Sequence, residues 1–294
     1  MAILLKDGKV KLTARMDLPP LADADLVIEQ VSGLADTHNA TAVVVLLYSA
    51  TAESARAVGA ELLAGLASYH LVDALYVNAT RWWSLICQGS CCPADGVPYD
   101  RSSHPMAAEA IYAGMNASSD RQAIADQVMG PRAADTDRLG EVAQQTALVI
   151  RALPLDDRQA MMAGLVETLV DRAGPITEAD AARLAVLAAD VMVRDVAWAM
   201  MSRDDAEEHV DLWRQVVATT VAPLEPAPLC LLGVAAWISG NGALQNCCVD
   251  RVRRIDPSYS MATLLAEINE RALSPRFWDQ LGEQMRAETG LLTG

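Results

Sequence analysis

The chain has 294 residues, 52% of them hydrophobic, and a formal net charge of −15. That is enough apolar material for one large or two ordinary domains, and it excludes an unstructured chain. Acidic residues outnumber basic ones in both halves, so binding to nucleic acid or to an anionic membrane surface lacks its electrostatic driving force.

The longest apolar run, "APLCLLGVAAWISG" at 227–240, is too short to cross a bilayer. The first residues, "MAILLKDGKVK", lack the charged and then apolar pattern of a secretory leader. A cytoplasmic setting is expected, in which the six cysteines stay reduced.

In chain order, "ILLKDGKVKLTARMDL" (3–18) places Asp7-Gly8 between two strand-like runs, a hairpin signal because a type I′ turn needs positive φ at both central residues. Val10, Leu12, Ala14 and Met16 alternate with polar residues, which predicts one buried face. Leu26, Val27, Val31, Leu34 and Ala35 recur at helical spacing. "TAVVVLLY" (41–48) reads as a strand covered on both sides, "TAESARAVGAELLAGLASY" (51–69) as a helix capped by Thr51, and "LVDALYV" (71–77) as a second buried strand. Strand, helix, strand with short links predicts a crossover unit, with "RWWSLIC" (81–87) as a hairpin partner of the last strand.

Beyond a Cys-rich loop the period becomes 3.6. Helices are expected over 106–115 and 120–129, and Gly130-Pro131 marks the domain boundary. Further helices are expected at 135–152, 156–173, 177–201, 205–220, 227–239, 241–255, 260–273 and 275–289. The fold class is thus an α/β domain with a mixed, partly parallel sheet and hairpins (1–130), followed by an all-α domain (131–294). Helix 177–201 is apolar nearly all round and reads as the centre of the second domain. The last helices resemble one tetratricopeptide-like helical pair.

Gly-rich phosphate loops, the dinucleotide fingerprint, His-Glu-x-x-His and Gly-x-Ser-x-Gly do not occur in the sequence. The four histidines, at 38, 70, 104 and 209, read as ordinary partly exposed residues, and the trio Arg251, Arg253 and Arg254 as a solvated helix face. An Asp190–Arg194 bridge at i, i+4 would offset the burial of a charge, with Asp195 beside it; the functional reading of these residues is a polar pocket.

The densest chemistry lies in "RWWSLICQGSCCPADG" (81–96). Cys87, Cys91 and Cys92, with His104, could supply three thiolates and an imidazole to zinc, although adjacent Cys91 and Cys92 turn to one metal with difficulty. A thiol switch favoured by Arg81 is a second reading. A third is core filling, with Trp82 and Trp83 on alternate faces of one strand, one ring in the sheet core and the other under the Cys-rich loop. An Arg81–Trp pair would then stand near the surface, at the sheet end where Ser49, Thr51 and Asn78 gather. No cofactor is expected apart from zinc as one of these options.

"RWWSLICQGSCCPADGVPY", "KVKLTARMDLP", "VRDVAWAM", "DLWRQVV" and "AAWISGNGALQNCCVDRVRRIDPSYSMATLLAEI" together resemble the actinobacterial family known as domain of unknown function 4192. The resemblance implies a cytoplasmic protein of high-GC actinobacteria or their phages, and places Trp82, Trp83, Cys91, Cys92, Arg194 and Asp195 on recurrent family positions. Members usually carry a further segment before the first hairpin; its lack here implies a misplaced start or a shortened form, and an uncovered sheet edge open to self-association. The expected role is a non-enzymatic regulatory or protein-interaction protein with a protein partner. The alternative is an enzyme or small-ligand-binding protein, of hydrolase or nucleotide-handling type, with its site near Ser49, Asn78 and Arg81.

Overall fold

The computed structural model describes residues 1–87, 89, 91–100, 121–172 and 174–288. The helix expected at 106–115 and His104 lie outside them. The chain divides into two compact units, 1–117 and 118–294.

The first unit holds a six-stranded sheet in the order β2-β1-β3-β4-β5-β6. Its strands are β1 (Ala2–Lys6), β2 (Lys9–Ala14), β3 (Ala42–Tyr48), β4 (His70–Val77), β5 (Arg81–Ser84) and β6 (Val97–Pro98). β3 and β4 are parallel, and every other neighbouring pair is antiparallel. The β1–β2 turn has Asp7 at φ 52° and Gly8 at φ 71°, the positive angles that the Asp-Gly pair predicts.

Helices α1 (Ala24–Thr37) and α2 (Ala52–Gly65) pack on each other, and α2 also packs on β3 and β4. Gly65 permits a close approach, because Ile28 of α1 fills the place its Cβ would take. Register and alternation put Ala2, Leu4, Val43, Val45, Leu47, Ala74 and Tyr76 on one sheet face, and all are buried. The opposite face, with Ile3, Val44, Leu46 and Leu75, is half-buried. The expectation that β3 is covered on both sides is therefore corrected to one fully buried face. β2 also departs from expectation: Leu12, Ala14 and Met16 are half-buried but Val10 is 61% exposed, because the strand lies at the sheet edge.

In the second unit the helices are α3 (Arg121–Ala125), α4 (Thr136–Arg151), α5 (Leu155–Val170), α6 (Glu178–Ala188), α7 (Val191–Met200), α8 (Ala206–Thr219), α9 (Pro226–Ile238), α10 (Gly242–Ile255), α11 (Ser260–Glu270) and α12 (Phe277–Glu288). α10 and α11, joined through residues 256–259, pack on each other as the expected helical pair. The stretch 121–128, ahead of the boundary expected at Gly130-Pro131, packs with this unit, where Ile124 and Val128 enter the helical core.

Two readings change here. The segment 177–201 is two helices, because Asp190 leaves helical geometry and its carboxylate accepts the Met192 N–H at 3.0 Å, capping α7. The centre of the unit is instead α9, all thirteen residues of which are buried. The Asp190–Arg194 bridge is replaced accordingly. Asp190 pairs with Arg158 at 2.6 Å, whereas Arg194 donates through Nε and Nη2 to Asp195 Oδ1 and through Nη1 to the Tyr259 hydroxyl.

Two more surface readings also become interior ones. Arg251 is mostly buried, ion-paired to Glu225 and donating to the Val128 carbonyl, so it ties α10 to the 121–128 segment. His209 is 1% exposed on α8; its Nδ1 has no partner among the described residues, and its Nε2 is 3.8 Å from Asp205 Oδ1. Burial pushes its imidazole below the ordinary value of 6.5, against the weaker opposing pull of Asp205, Glu208 and Asp171.

Unfolding restores the ordinary His209 value, so the unfolded chain takes up a proton as pH falls through 6.5 while the folded chain resists. This part of the stability is complete above pH 6.5 and is lost below it. Thermal unfolding followed between pH 7.5 and 5.5 should show a falling midpoint in the native chain and a flatter profile in His209→Gln. Equal slopes would contradict the assignment.

Candidate functional site

The β4–β5 register sets Tyr76 directly opposite Trp83. Their rings stack with centroids 4.9 Å apart and planes 16° from parallel, which extends the buried sheet face outward by one aromatic layer. The chain beyond Cys91 returns over this ring. Trp83 Nε1 donates to the Ala94 carbonyl at 3.2 Å, and Gly96, at φ 80°, lies so close that a Cβ there would overlap the indole.

Arg81, two residues before Trp83, projects from the same sheet face by strand alternation. Its Nη1 donates to the carbonyls of Gly96 (2.8 Å) and Asp95 (3.0 Å) and to Asp95 Oδ2 (3.2 Å). The ion pair is exposed and adds little alone, but the two carbonyl bonds fix the path of the loop. The expected division of labour between the tryptophans is thus corrected: Trp83 is both joined to the sheet core and covered by the loop. Trp82 stands on the opposite, half-buried face, opposite Val77 and Val97. Arg81 latches the loop in place of forming a surface pair with an indole.

The parallel β3–β4 pair brings Ser49 and Asn78 together at its C-terminal end, where the Ser49 N–H donates to the Val77 carbonyl at 3.1 Å. Their side chains are engaged. Asn78 Oδ1 accepts from the Thr80 and Arg81 N–H groups and closes the β4–β5 turn, while the Tyr99 hydroxyl donates to the Asn78 carbonyl at 2.6 Å. Ser49 Oγ accepts the Thr51 N–H and lies 3.2 Å from Thr51 Oγ1. Thr51 occupies the residue before α2 as expected, but its side chain makes no capping bond.

The three loop cysteines converge. Ser84 Oγ, held by a 2.6 Å bond to Asp73 Oδ1, accepts the N–H groups of Ile86 and Cys87 and bends the chain after β5. A turn closed by the Cys92 N–H on the Gly89 carbonyl, at 3.1 Å, then brings Cys91 and Cys92 back. Cys87 Sγ is 3.5 Å from Cys91 Sγ, and Cys91 Sγ is 3.9 Å from Cys92 Sγ. All three sulfurs lie within 4.8 Å of one another. The objection that the adjacent pair cannot point to one place does not hold in this turn.

The Gly89 N–H on Cys87 Sγ, helped by the Cys92 and Cys91 thiols, lowers the Cys87 pKa below its ordinary value. Hydrogen bonding to Cys87 and desolvation push the Cys92 thiol up to about 12. The remaining cysteines, Cys230, Cys247 and Cys248, are buried in the helical core.

Arg194 and Asp195 belong to the second unit, where they meet Tyr259. That unit also contains a cleft of about 160 Å³ lined by Trp198, Trp237, Trp278 and Phe277, with Glu267 and Arg271 among its polar neighbours. Trp198 and Trp278 stack with centroids 5.6 Å apart, and both the Trp237 and Trp278 indole N–H groups are satisfied by backbone carbonyls. The cleft is smaller than the roughly 300–1,000 Å³ of ordinary small-molecule sites. Asp73, Ser84, Asp95 and Gly96 are the residues that sequence reasoning missed. Asp95-Gly96 carried a turn signal that could have found it, whereas Asp73 and Ser84 carried none.

A family model described as Domain of unknown function (DUF4192) matches residues 1–276. The chain belongs to the DUF4192 family. In this family member the match takes in the whole Trp/Cys segment and the helices through α11. No curated protein and no solved structure matches the chain.

Two outcomes follow for the reduced, metal-free DUF4192 protein. Gly96→Ala forces a positive φ and an overlap with Trp83 together, and should cost about 1–3 kcal/mol in denaturant unfolding of the first unit; an unchanged midpoint would contradict the packing. Timed alkylation at pH 8, read by peptide mass spectrometry, should label Cys87 well before Cys92. The reverse order would contradict the hydrogen-bond pattern among the thiols.

Proposed function

We propose that this DUF4192 protein is a cytoplasmic, non-enzymatic regulatory protein that acts by binding a protein partner, with the outer side of the loop between β5 and β6 as its contact surface. The observation that supports this reading is the loop itself. Arg81 and Trp83 hold its 94–96 stretch, where Gly96 allows the close approach, while Ile86, Cys91, Pro93 and Ala94 face solvent. A surface with a fixed path on a chain of net charge −15 suits a protein contact, because little ordering entropy is lost on binding and the exposed Asp95 carboxylate is already paired with Arg81.

The enzyme or ligand-site reading rests on the adjacency of Ser49 and Asn78. It is the weaker one, because Ser49, Thr51, Asn78 and Arg81 spend the hydrogen bonds described above on one another and on the backbone. No described helix is long and apolar enough to cross a membrane. Self-association through the β2 edge is opposed by its solvent-facing Lys9 and Lys11.

Affinity capture from the host with the native chain, Arg81→Ala and Arg138→Ala tests the proposal. Arg138 pairs with Glu178 on the surface of the helical unit and serves as the remote control. The native chain and the Arg138 variant should retain the same partner, and Arg81→Ala should retain about tenfold less. Equal recovery on all three would contradict the loop as the contact surface.

A further inference from the structure

We propose that Cys87, Cys91 and Cys92 form a binding site for a thiophilic metal ion of the zinc class, held by three thiolates with a fourth position open to water or an outside ligand. The site stands on its own geometry, whether or not the same loop meets a protein partner.

Three sulfurs at about 2.3 Å from one tetrahedral ion lie about 3.8 Å from one another. The separations of 3.5 and 3.9 Å, with the third below 4.8 Å, bracket that edge length. Closing on an ion therefore requires sulfur shifts of about 1 Å or less, within the reach of cysteine χ1 rotation and without remaking the loop. A disulfide would need one pair to close to about 2.05 Å and would leave the third sulfur unused. Core filling does not account for the cluster either, since Cys91 is exposed and Cys87 and Cys92 are only half-buried.

The backbone around the cluster has the form of a supporting shell. The Gly89 N–H points at Cys87 Sγ at 3.4 Å, a bond that a metal-bound thiolate keeps and strengthens. Ser84 Oγ receives the Cys87 N–H at 3.0 Å and is itself anchored on the Asp73 carboxylate, which fixes the first ligand to the end of β5. The turn from Gly89 to Cys92 fixes the other two. Arg81, at the start of β5, is committed to Asp95 and Gly96. Exposure of Cys91 leaves the mouth open for ion entry and for the fourth ligand. As each metal–sulfur bond forms, the S–H bond of any protonated thiol breaks and its proton passes to the buffer, with no change in oxidation state.

The test uses the full chain, reduced, chelator-treated and kept anaerobic. Zinc is titrated in competition with a chromophoric chelator, and cobalt(II) is titrated separately for its thiolate charge-transfer absorption. The native chain should bind one zinc per chain, release protons on binding, and show a sulfur-to-cobalt band. Cys91→Ser and Cys92→Ser should each weaken binding by about 100-fold, and Ser84→Ala, which removes only a supporting contact, by about tenfold. Cys247→Ala, in the helical core, should bind as the native chain does. Circular dichroism of each variant separates lost ligation from lost folding. Zinc binding below about a tenth of an equivalent in the native chain, native affinity in the Cys91→Ser or Cys92→Ser variant, or a cobalt spectrum without the thiolate band would each overturn the site.

Discussion

Trp83 stacks on Tyr76 with one face and donates its indole N–H to the Ala94 carbonyl, and the stretch from Cys91 to Gly96 must pass over what remains of the ring. That passage is possible only because Gly96 has no side chain and adopts a left-handed backbone. The loop would otherwise be a long excursion between two short strands, costly in chain entropy. Covering an aromatic ring, together with the Arg81 bonds to the Asp95 and Gly96 carbonyls, offsets that cost. The three thiols are brought near one another by the Ser84 bonds and the Gly89–Cys92 turn, and this closure anchors the far end of the same stretch.

The helical unit obeys a different constraint. Every residue of α9 is buried, so a polar group that comes near gains from a partner among its neighbours. Arg194 meets this demand through Asp195 and Tyr259, Arg251 through Glu225 and the Val128 carbonyl, and the indoles of Trp237 and Trp278 through the carbonyls of Leu273 and Met201. His209 does not meet it fully: burial holds its imidazole below the ordinary value, and Nδ1 has no partner among the described residues. These arrangements account for the charged side chains of an otherwise apolar stretch as structure.

Periodicity made most of this legible. Alternation and β-branched runs marked the strands, Asp7-Gly8 marked the first hairpin, and helical spacing placed most of the helices of the second unit to within a few residues. What stayed hidden depends on competition between equivalent local options. Asp190 followed by Arg194 fits an intrahelical pair and an N-cap equally well by spacing, and only packing selects the cap. The environments of Arg251 and His209 depend on contacts with the 121–128 segment and within the helical core, which spacing does not encode. Period-2 alternation did imply that Arg81 and Trp83 share a face, but not which face is the buried one. The thiol cluster was legible as a concentration of residue types. Its geometry was not, because it hangs on Ser84 and on the Gly89–Cys92 turn.

The central claim is that closure over Trp83 steadies the loop in which the local turns have brought the sulfurs together. Reaction of the reduced chain with a short bifunctional thiol reagent tests it most directly, with a monofunctional reagent of the same chemistry as reference and Trp83→Ala as the comparison. The native chain should form an intramolecular bridge between Cys87 and Cys91 rapidly, and the variant slowly, while both react alike with the monofunctional reagent. Bridging at the same rate in Trp83→Ala would show that the thiols meet without the ring and would contradict the account.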